Sequence, residues 1–175
     1  MTALKAALWG GFLFAQGAWR WAGFVKEIGK MRFGSNAMSY DTDNIFAKIL
    51  RGEIPSFKVY EDDETFAFMD IMPRSPGHCL VIPKTPCRNI LDASPEQLAA
   101  CMRTVNTLAN GAMKAFGADG ITLQQFSEAA GGQEVFHLHF HILPRHEGQR
   151  MGPAGVMGDM AEIKANGEKL SAALH

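Results

Sequence analysis

The sequence predicts an α+β domain: an antiparallel sheet of about five strands, a short N-terminal helix, and one long helix, the helices packed mainly on one face. Three observations carry this. Short apolar runs of strand length recur between residues 57 and 143, separated by Pro, Gly and charged turns. Two of those runs flank a four-residue charged turn, the signal of a hairpin. One segment, 95–116, has helical apolar spacing between a capping signal and a glycine stop.

The elements follow in order. Ile45, Phe46, Ile49 and Leu50 fall on one face of a short helix, capped by Asp43 or Asn44 and stopped by Gly52. Phe57–Tyr60 and Thr65–Asp70 read as the hairpin strands around Glu61-Asp62-Asp63-Glu64. Pro73, Pro76 and Gly77 break the chain before a buried strand, His78–Ile82, that ends at Pro83. Ser94 caps the long helix, Pro95 takes its first position and Gln97 completes a capping box. Its expected apolar face is Leu98, Met102, Val105, Leu108, Ala112, Met113 and Phe116, with Gly117 as the stop. Ile121–Phe126 reads as a strand, Glu128–Gly132 as a turn, and Val135–Leu143 as a strand ended by Pro144. A terminal helix is expected from about Met160 to Leu174.

Composition narrows the class. Of the 175 residues, 47% are hydrophobic and 20% charged, enough to bury a core and too apolar for a disordered chain. Three cysteines without a CxxC spacing argue against a disulfide framework or a cysteine-built zinc site and fit a reducing, cytoplasmic setting. The longest apolar stretch, Ala6–Ala18, is interrupted and falls short of the roughly 20 residues a spanning helix needs, so no transmembrane segment is expected. The net charge of −1 argues against a general nucleic-acid-binding surface.

That total conceals an asymmetry. Residues 1–38 hold Lys5, Arg20, Lys26, Lys30 and Arg32 against Glu27, hence +4, and leave −5 for the remainder; all three tryptophans lie there too. The expected organisation is an N-terminal extension over 1–38, one folded domain over 39–150 and a tail with a helix over 151–175. For the extension three readings stand: a targeting sequence, an amphipathic helix on a membrane surface, or upstream or added sequence with Met31 or Met38 as the true start. The tripeptide Ser35-Asn36-Ala37 resembles a cleavage scar. In each reading the extension carries no chemistry.

The informative stretch is Val135-Phe136-His137-Leu138-His139-Phe140-His141-Ile142-Leu143. In a strand, His137, His139 and His141 share one face, and Phe136, Leu138, Phe140 and Ile142 the other. Three imidazoles on one face are costly to bury without partners, which sets this apart from a lone core histidine. Two chemistries remain open. The imidazoles may be read as ligands of one metal. Alternatively the middle one is a nucleophile, one of its nitrogens bonded and the other free, with neighbours that orient it and bind the electrophile. The second scheme needs donors for phosphate oxygens, which the backbone of Gly131-Gly132 and the amide of Gln133 can offer.

The stretch from Gly132 to Arg145 resembles the signature of the histidine triad (HIT) superfamily, His-x-His-x-His-x-x with apolar x. Asn44–Ile49 with Gly52-Glu53-Ile54-Pro55, Phe66–Ile71 and Gly77–Lys84 are similar to other stretches of that family, so the likeness covers about residues 43–147. The resemblance implies the HIT-like fold and a nucleotidyl hydrolase or transferase acting on purine nucleoside phosphoramidates or dinucleoside polyphosphates. His139 would attack the α-phosphate to form a nucleotidyl-histidine, His141 would assist, His137 would hold the site, and His78 would lie near the phosphate. Gly132, Gln133 and Glu134 would contact phosphate and leaving group, Asp70 the ribose hydroxyls. Ile45, Phe46, Ile49, Phe68, Ile71 and Leu80 would enclose the base.

The resemblance also implies a homodimer with a purine nucleotide substrate and no nucleic-acid partner. Some relatives bind structural zinc through a CxxC near the first helix. Here Asn44 and Ala47 stand in those places and Pro86 where a histidine is common, so no structural zinc and no required cofactor is expected. The family often has an amide upstream of the glycines; among Gln124, Gln125 and Phe126-Ser127, Ser127 is the expected substitute. Two other readings are carried: a metalloenzyme with His137, His139 and His141 as ligands, and a nucleotide-binding interaction protein with little turnover.

Overall fold

The computed structural model describes residues 39–174; the readings offered for the N-terminal extension lie outside the described residues. From Asn44 onward the chain runs α1 (Ile45–Leu50), β1 (Lys58–Glu61), β2 (Thr65–Met69), β3 (Cys79–Pro83), α2 (Pro95–Phe116), β4 (Gly120–Gln124), a 3₁₀ turn (Ala129–Gly131), β5 (Phe140–Arg145) and α3 (Met160–Ala172). The five strands form one antiparallel sheet in the order β1-β2-β3-β5-β4. This is the α+β class the sequence predicts.

Local chemistry explains the elements. Asn44 caps α1, its Oδ1 accepting from the N–H groups of Phe46 and Ala47 at 3.0 and 2.9 Å. The charged hairpin turn works through Asp62, whose Oδ1 accepts from Glu64 N, Thr65 N and Thr65 Oγ1. The capping box of α2 is complete: Gln97 N donates to Ser94 Oγ, and Ser94 N to Gln97 Oε1. Gly117 ends the helix in the left-handed region at φ 60°.

The sheet has two unlike faces. On one, Ala67, Met69, Cys79, Val81, Phe140 and Ile142 join Val105, Leu108 and Ala112 of α2 and Ile163 and Leu170 of α3 in the main core. On the other, Phe68, Leu80 and Ile82 pack with Phe46 of α1. β3 is buried along its whole length, as a central strand covered on both faces must be. The segment beyond residue 150 belongs to this body, because α3 packs on α2, β1 and β2. Among the described residues no helix is long and apolar enough to cross a membrane.

Three expectations are corrected. The apolar face of α2 is rotated: Met102 and Met113 are exposed, while Ala100, Cys101, Thr104 and Ala115 are buried. Small residues win the interior positions because the partners come close; Gly111 faces Leu170 and Leu174, and Thr104 Oγ1 lies 2.8 Å from Thr65 Oγ1. Second, the histidine segment is a strand only from Phe140. β3 runs on to Pro83 through its pairs with β2, but its pairs with β5 stop at Val81↔Phe140, so residues 135–139 pair with no strand. Leu138 N instead donates to Cys87 O at 2.8 Å, and Phe136 leaves the apolar face to lie under the Arg88 guanidinium at 3.9 Å. Third, β5 continues through Pro144 to Arg145, since Pro144 lies past the last pair with β3, where a missing N–H costs no ladder bond on that side.

Candidate active site

Although His137 and His139 precede β5, the histidines gather. His139 and His141 have ring centroids 5.0 Å apart, and His78, from the start of β3, lies 5.2 Å from His141. The register Leu80↔His141 puts His141 on the α1 side of the sheet. Phe46 of α1 meets His139 edge to face at 5.1 Å, and Phe126 meets His141 likewise at 5.6 Å. Asp70, just past β2, has Oδ2 at 3.5 Å from His78 Nε2 and 3.8 Å from His141 Nδ1.

Hydrogen-bond partners assign the neutral tautomers, since carbonyl oxygens only accept and backbone N–H groups only donate. His139 Nδ1 donates to His137 O at 2.6 Å, so its Nε2 carries the lone pair and has no partner among the described residues. His137 Nε2 donates to Pro83 O at 2.9 Å, and its Nδ1 accepts from the Tyr40 hydroxyl at 2.6 Å. Arg74 N donates to His78 Nδ1, which places the His78 proton on Nε2; that nitrogen donates to His141 Nδ1 at 3.0 Å. The His141 proton then sits on Nε2.

Burial keeps these rings neutral. Desolvation pulls His78 and His137 down to about 4 and His141 to about 3, the last aided by the neighbouring His139 and His78; His139 is lowered by the same burial. The site therefore offers one bare imidazole nitrogen and one imidazole N–H at neutral pH.

The turn after β4 is held from below. Glu128 binds Arg88 Nε and Nη2, both at 2.8 Å, and Asn89 Nδ2 at 2.7 Å, and the Arg88 bonds hold its carboxyl down to about 2. The Gln133 amide is buried and fully engaged: Nε2 donates to Arg88 O and Val135 O, while Oε1 accepts from Asn89 Nδ2 and Glu128 N. Gly131 N and Gln133 N donate to Glu128 O, and Gly132 N to Ala129 O. The donors expected for phosphate at Gly131, Gly132 and Gln133 are thus spent within the turn. Glu134 N and Val135 N, by contrast, have no partner among the described residues.

The remaining expected site residues divide. Phe46, Phe68 and Leu80 are buried together with Ile49 packed against them; Ile45 and Ile71 are exposed. Glu134 is exposed, and Ser127 Oγ donates to Gln125 Oε1 at 3.1 Å. Tyr40, Arg88, Asn89, Phe126 and Glu128 are the site neighbours sequence reading missed. Phe126 and Glu128 flank Ser127, and Glu128 opens the expected turn, but neither position carried a sign of its role; Tyr40, Arg88 and Asn89 are distant in the chain from the histidines.

Asp70, His78 and His141 each offer a donor atom, all within 4.8 Å of one another. They do not fit a metal well. The Arg74 N–H at His78 Nδ1 keeps a proton on the Nε2 that would have to ligate, and reversing that tautomer sets two N–H groups against each other. The triad fits no better, because both nitrogens of His137 and Nδ1 of His139 are committed.

Comparison with known proteins identifies the family of the domain that carries these residues. A family-wide description of the HIT domain matches residues 51–148. The purine nucleoside phosphoramidase of Escherichia coli is 40% identical over 112 residues, which span 63% of this chain and 92% of that protein. The adenylylsulfatase HINT3 of Arabidopsis thaliana is 42% identical over 105 residues, 60% of this chain; the match spans about half, 53%, of that relative. A Hit-like protein from Bartonella henselae, described as involved in cell-cycle regulation, has a crystal structure that superposes with a TM-score of 0.74. It is 52% identical, and the alignment covers 77% of this chain and 98% of that one.

Proposed function

The chain belongs to the HIT domain family, and from that premise we propose that it is a nucleotidyl hydrolase or transferase acting on purine nucleoside phosphoramidates or dinucleoside polyphosphates. One observation carries the reading: His139 donates Nδ1–H to a backbone carbonyl and leaves Nε2 bare, beside a second imidazole whose proton sits on Nε2. In the first step His139 Nε2 bonds to the α-phosphorus and the bond to the leaving group breaks, its electron pair departing with that group. His141 Nε2–H donates a hydrogen bond to the departing group, which takes its proton from solvent. Water then attacks the phosphorus of the nucleotidyl-histidine, the bond to His139 Nε2 breaks with its electron pair returning to the ring, and the water's proton passes to solvent as a nucleoside monophosphate is released.

The N–H groups of Glu134 and Val135 take the phosphate oxygens, a role the exposed Glu134 side chain can permit by pointing into water. Asp70 takes the ribose hydroxyls and the Phe46, Phe68 and Leu80 cluster, with Ile45, Ile49 and Ile71 at its margin, takes the base. The named activities of the Escherichia coli and Arabidopsis relatives support this class. The reading includes a homodimer, a cytoplasmic setting, and neither cofactor nor structural zinc. The Asn44 side chain, which stands at one expected zinc-ligand position, is engaged in capping α1.

The test is a substrate panel of adenosine phosphoramidate and dinucleoside tri- and tetraphosphates, run on the full chain and on His139→Gly. Turnover should require His139, and an acid-labile nucleotidyl adduct on His139 should appear by mass spectrometry in rapid quench. Turnover that survives His139→Gly overturns the reading. Tight AMP binding without turnover of any substrate would favour a nucleotide-binding interaction protein.

A further inference from the structure

Glu128 is the only residue other than glycine, among those described, with positive φ: φ 62° and ψ 164°. That region is close to glycine-only, and a side chain there persists where its surroundings over-determine it. Here they do so from both ends. The carboxylate is gripped by a bidentate guanidinium and an amide, all from the segment after β3. The Glu128 peptide, in turn, organises the turn: its N–H donates to Gln133 Oε1, and its carbonyl accepts from Gly131 N and Gln133 N. Arg88 closes the loop by accepting Gln133 Nε2 at its own carbonyl and covering the Phe136 ring, next to His137.

We propose that Arg88 and Glu128 form a clamp that positions the phosphate-binding turn: the ion pair holds residue 128 in a strained backbone state, and that state aims the N–H groups of Glu134 and Val135. Both are positioning residues; neither touches the substrate. The proposal rests on the reading that this turn receives phosphate. It explains why a glutamate occupies a position whose backbone suits glycine, and why Gln133 is wholly inward. A free Glu128 would relax out of this region, taking with it three of the hydrogen bonds that define the turn.

The test separates phosphate recognition from general structure by comparing AMP with adenosine in equilibrium binding to the full chain. Wild type should bind AMP more tightly than adenosine. Glu128→Gln and Arg88→Ala should weaken AMP by about tenfold, the scale of a modest misplacement of positioned groups, with adenosine unchanged. Millimolar guanidinium should restore AMP affinity to Arg88→Ala and leave Glu128→Gln unaffected. Glu128→Gly, whose backbone accepts φ 62° without strain, serves where the other variants fail to fold and should keep the AMP-to-adenosine ratio near that of wild type. An unchanged ratio in folded Glu128→Gln or Arg88→Ala overturns the clamp, as does parallel loss of both ligands or a selective loss of AMP in Glu128→Gly. A wild type that binds the two ligands equally overturns the phosphate reading itself.

Discussion

The Tyr40 hydroxyl lies 2.6 Å from His137 Nδ1, across a separation of 97 residues. Tyr40 precedes the first helix, and His137 is held on its other nitrogen by Pro83 O. The hydroxyl donates, so it keeps His137 in the tautomer whose ring is bonded at both ends, and the His137 carbonyl in turn accepts the proton of His139 Nδ1. Tyr40→Phe should leave a buried acceptor unpaired, at a cost of about 1–3 kcal/mol in stability. It should also lower kcat about tenfold through the looser His139. Wild-type kcat in a folded Tyr40→Phe protein would show that this bond does not govern the nucleophile.

Asp70 has Oδ2 at 3.5 Å from His78 Nε2, and Met72 N donates to its Oδ1 at 2.8 Å. If its free oxygen takes the ribose diol, wild type should bind AMP about tenfold more tightly than 2′,3′-dideoxy-AMP, the worth of a charged hydrogen bond. Asp70→Asn should remove most of that preference. Calorimetric titration with the two ligands decides it, and a preference retained in Asp70→Asn moves the ribose contact elsewhere.

Acid should destabilise the protein in two windows. The buried histidines have folded pKa values depressed to about 4 or lower, so the unfolded chain binds more protons below its ordinary value near 6.5. Stability is therefore full above that value and lost as pH falls through about 4; His137 alone contributes roughly 3 kcal/mol. Glu128, depressed to about 2, acts in the same direction between its ordinary value of 4.5 and 2. Thermal melts from pH 7.5 to 3 should fall steadily, and Glu128→Gln should differ in slope from wild type only below about 4.5. A flat profile between pH 7 and 5 contradicts the neutral, buried histidines.

Two glycines with similar backbones should behave differently. Gly77 has φ 83° and turns the chain into His78, and a Cβ there would overlap the Phe116 ring. Gly52 has φ 74° with open space around it. Gly52→Ala should cost about 1 kcal/mol for the left-handed backbone alone. Gly77→Ala should cost about 2–4 kcal/mol, because the overpacking against α2 adds to that strain. Urea denaturation of the two variants measures the difference; equal midpoints would mean that Phe116 moves aside freely.

How much of this was legible in sequence depends on the range of the forces involved. The capping box at Ser94 and Gln97, the left-handed stop at Gly117 and the Asp62 turn are settled by neighbours within a few residues, and they appear where expected. The rotated face of α2 was not legible. Leu and Met look more apolar than Ala and Cys, but how closely α3 approaches Gly111 decides which of them is buried.

The histidine motif shows the same division. Spacing alone identified His137, His139 and His141, and alternation correctly set His139 and His141 against Phe140 and Ile142, since strand geometry repeats every two residues. That the pairing with β3 stops at Val81↔Phe140 was invisible to it, and residues 135–139 follow a path with no ladder, Leu138 N bonding to Cys87 O instead. By itself the sequence determined the fold class, the caps and turns, and which imidazoles gather at one site, because each is local or periodic. Only the tertiary structure decided which nitrogen of each ring is bare. That depends on Tyr40, Arg74, Pro83 and the His137 carbonyl, hydrogen-bond partners set by folding: two lie far along the chain from the ring they fix, and the two near ones reach their rings only because the backbone bends toward them.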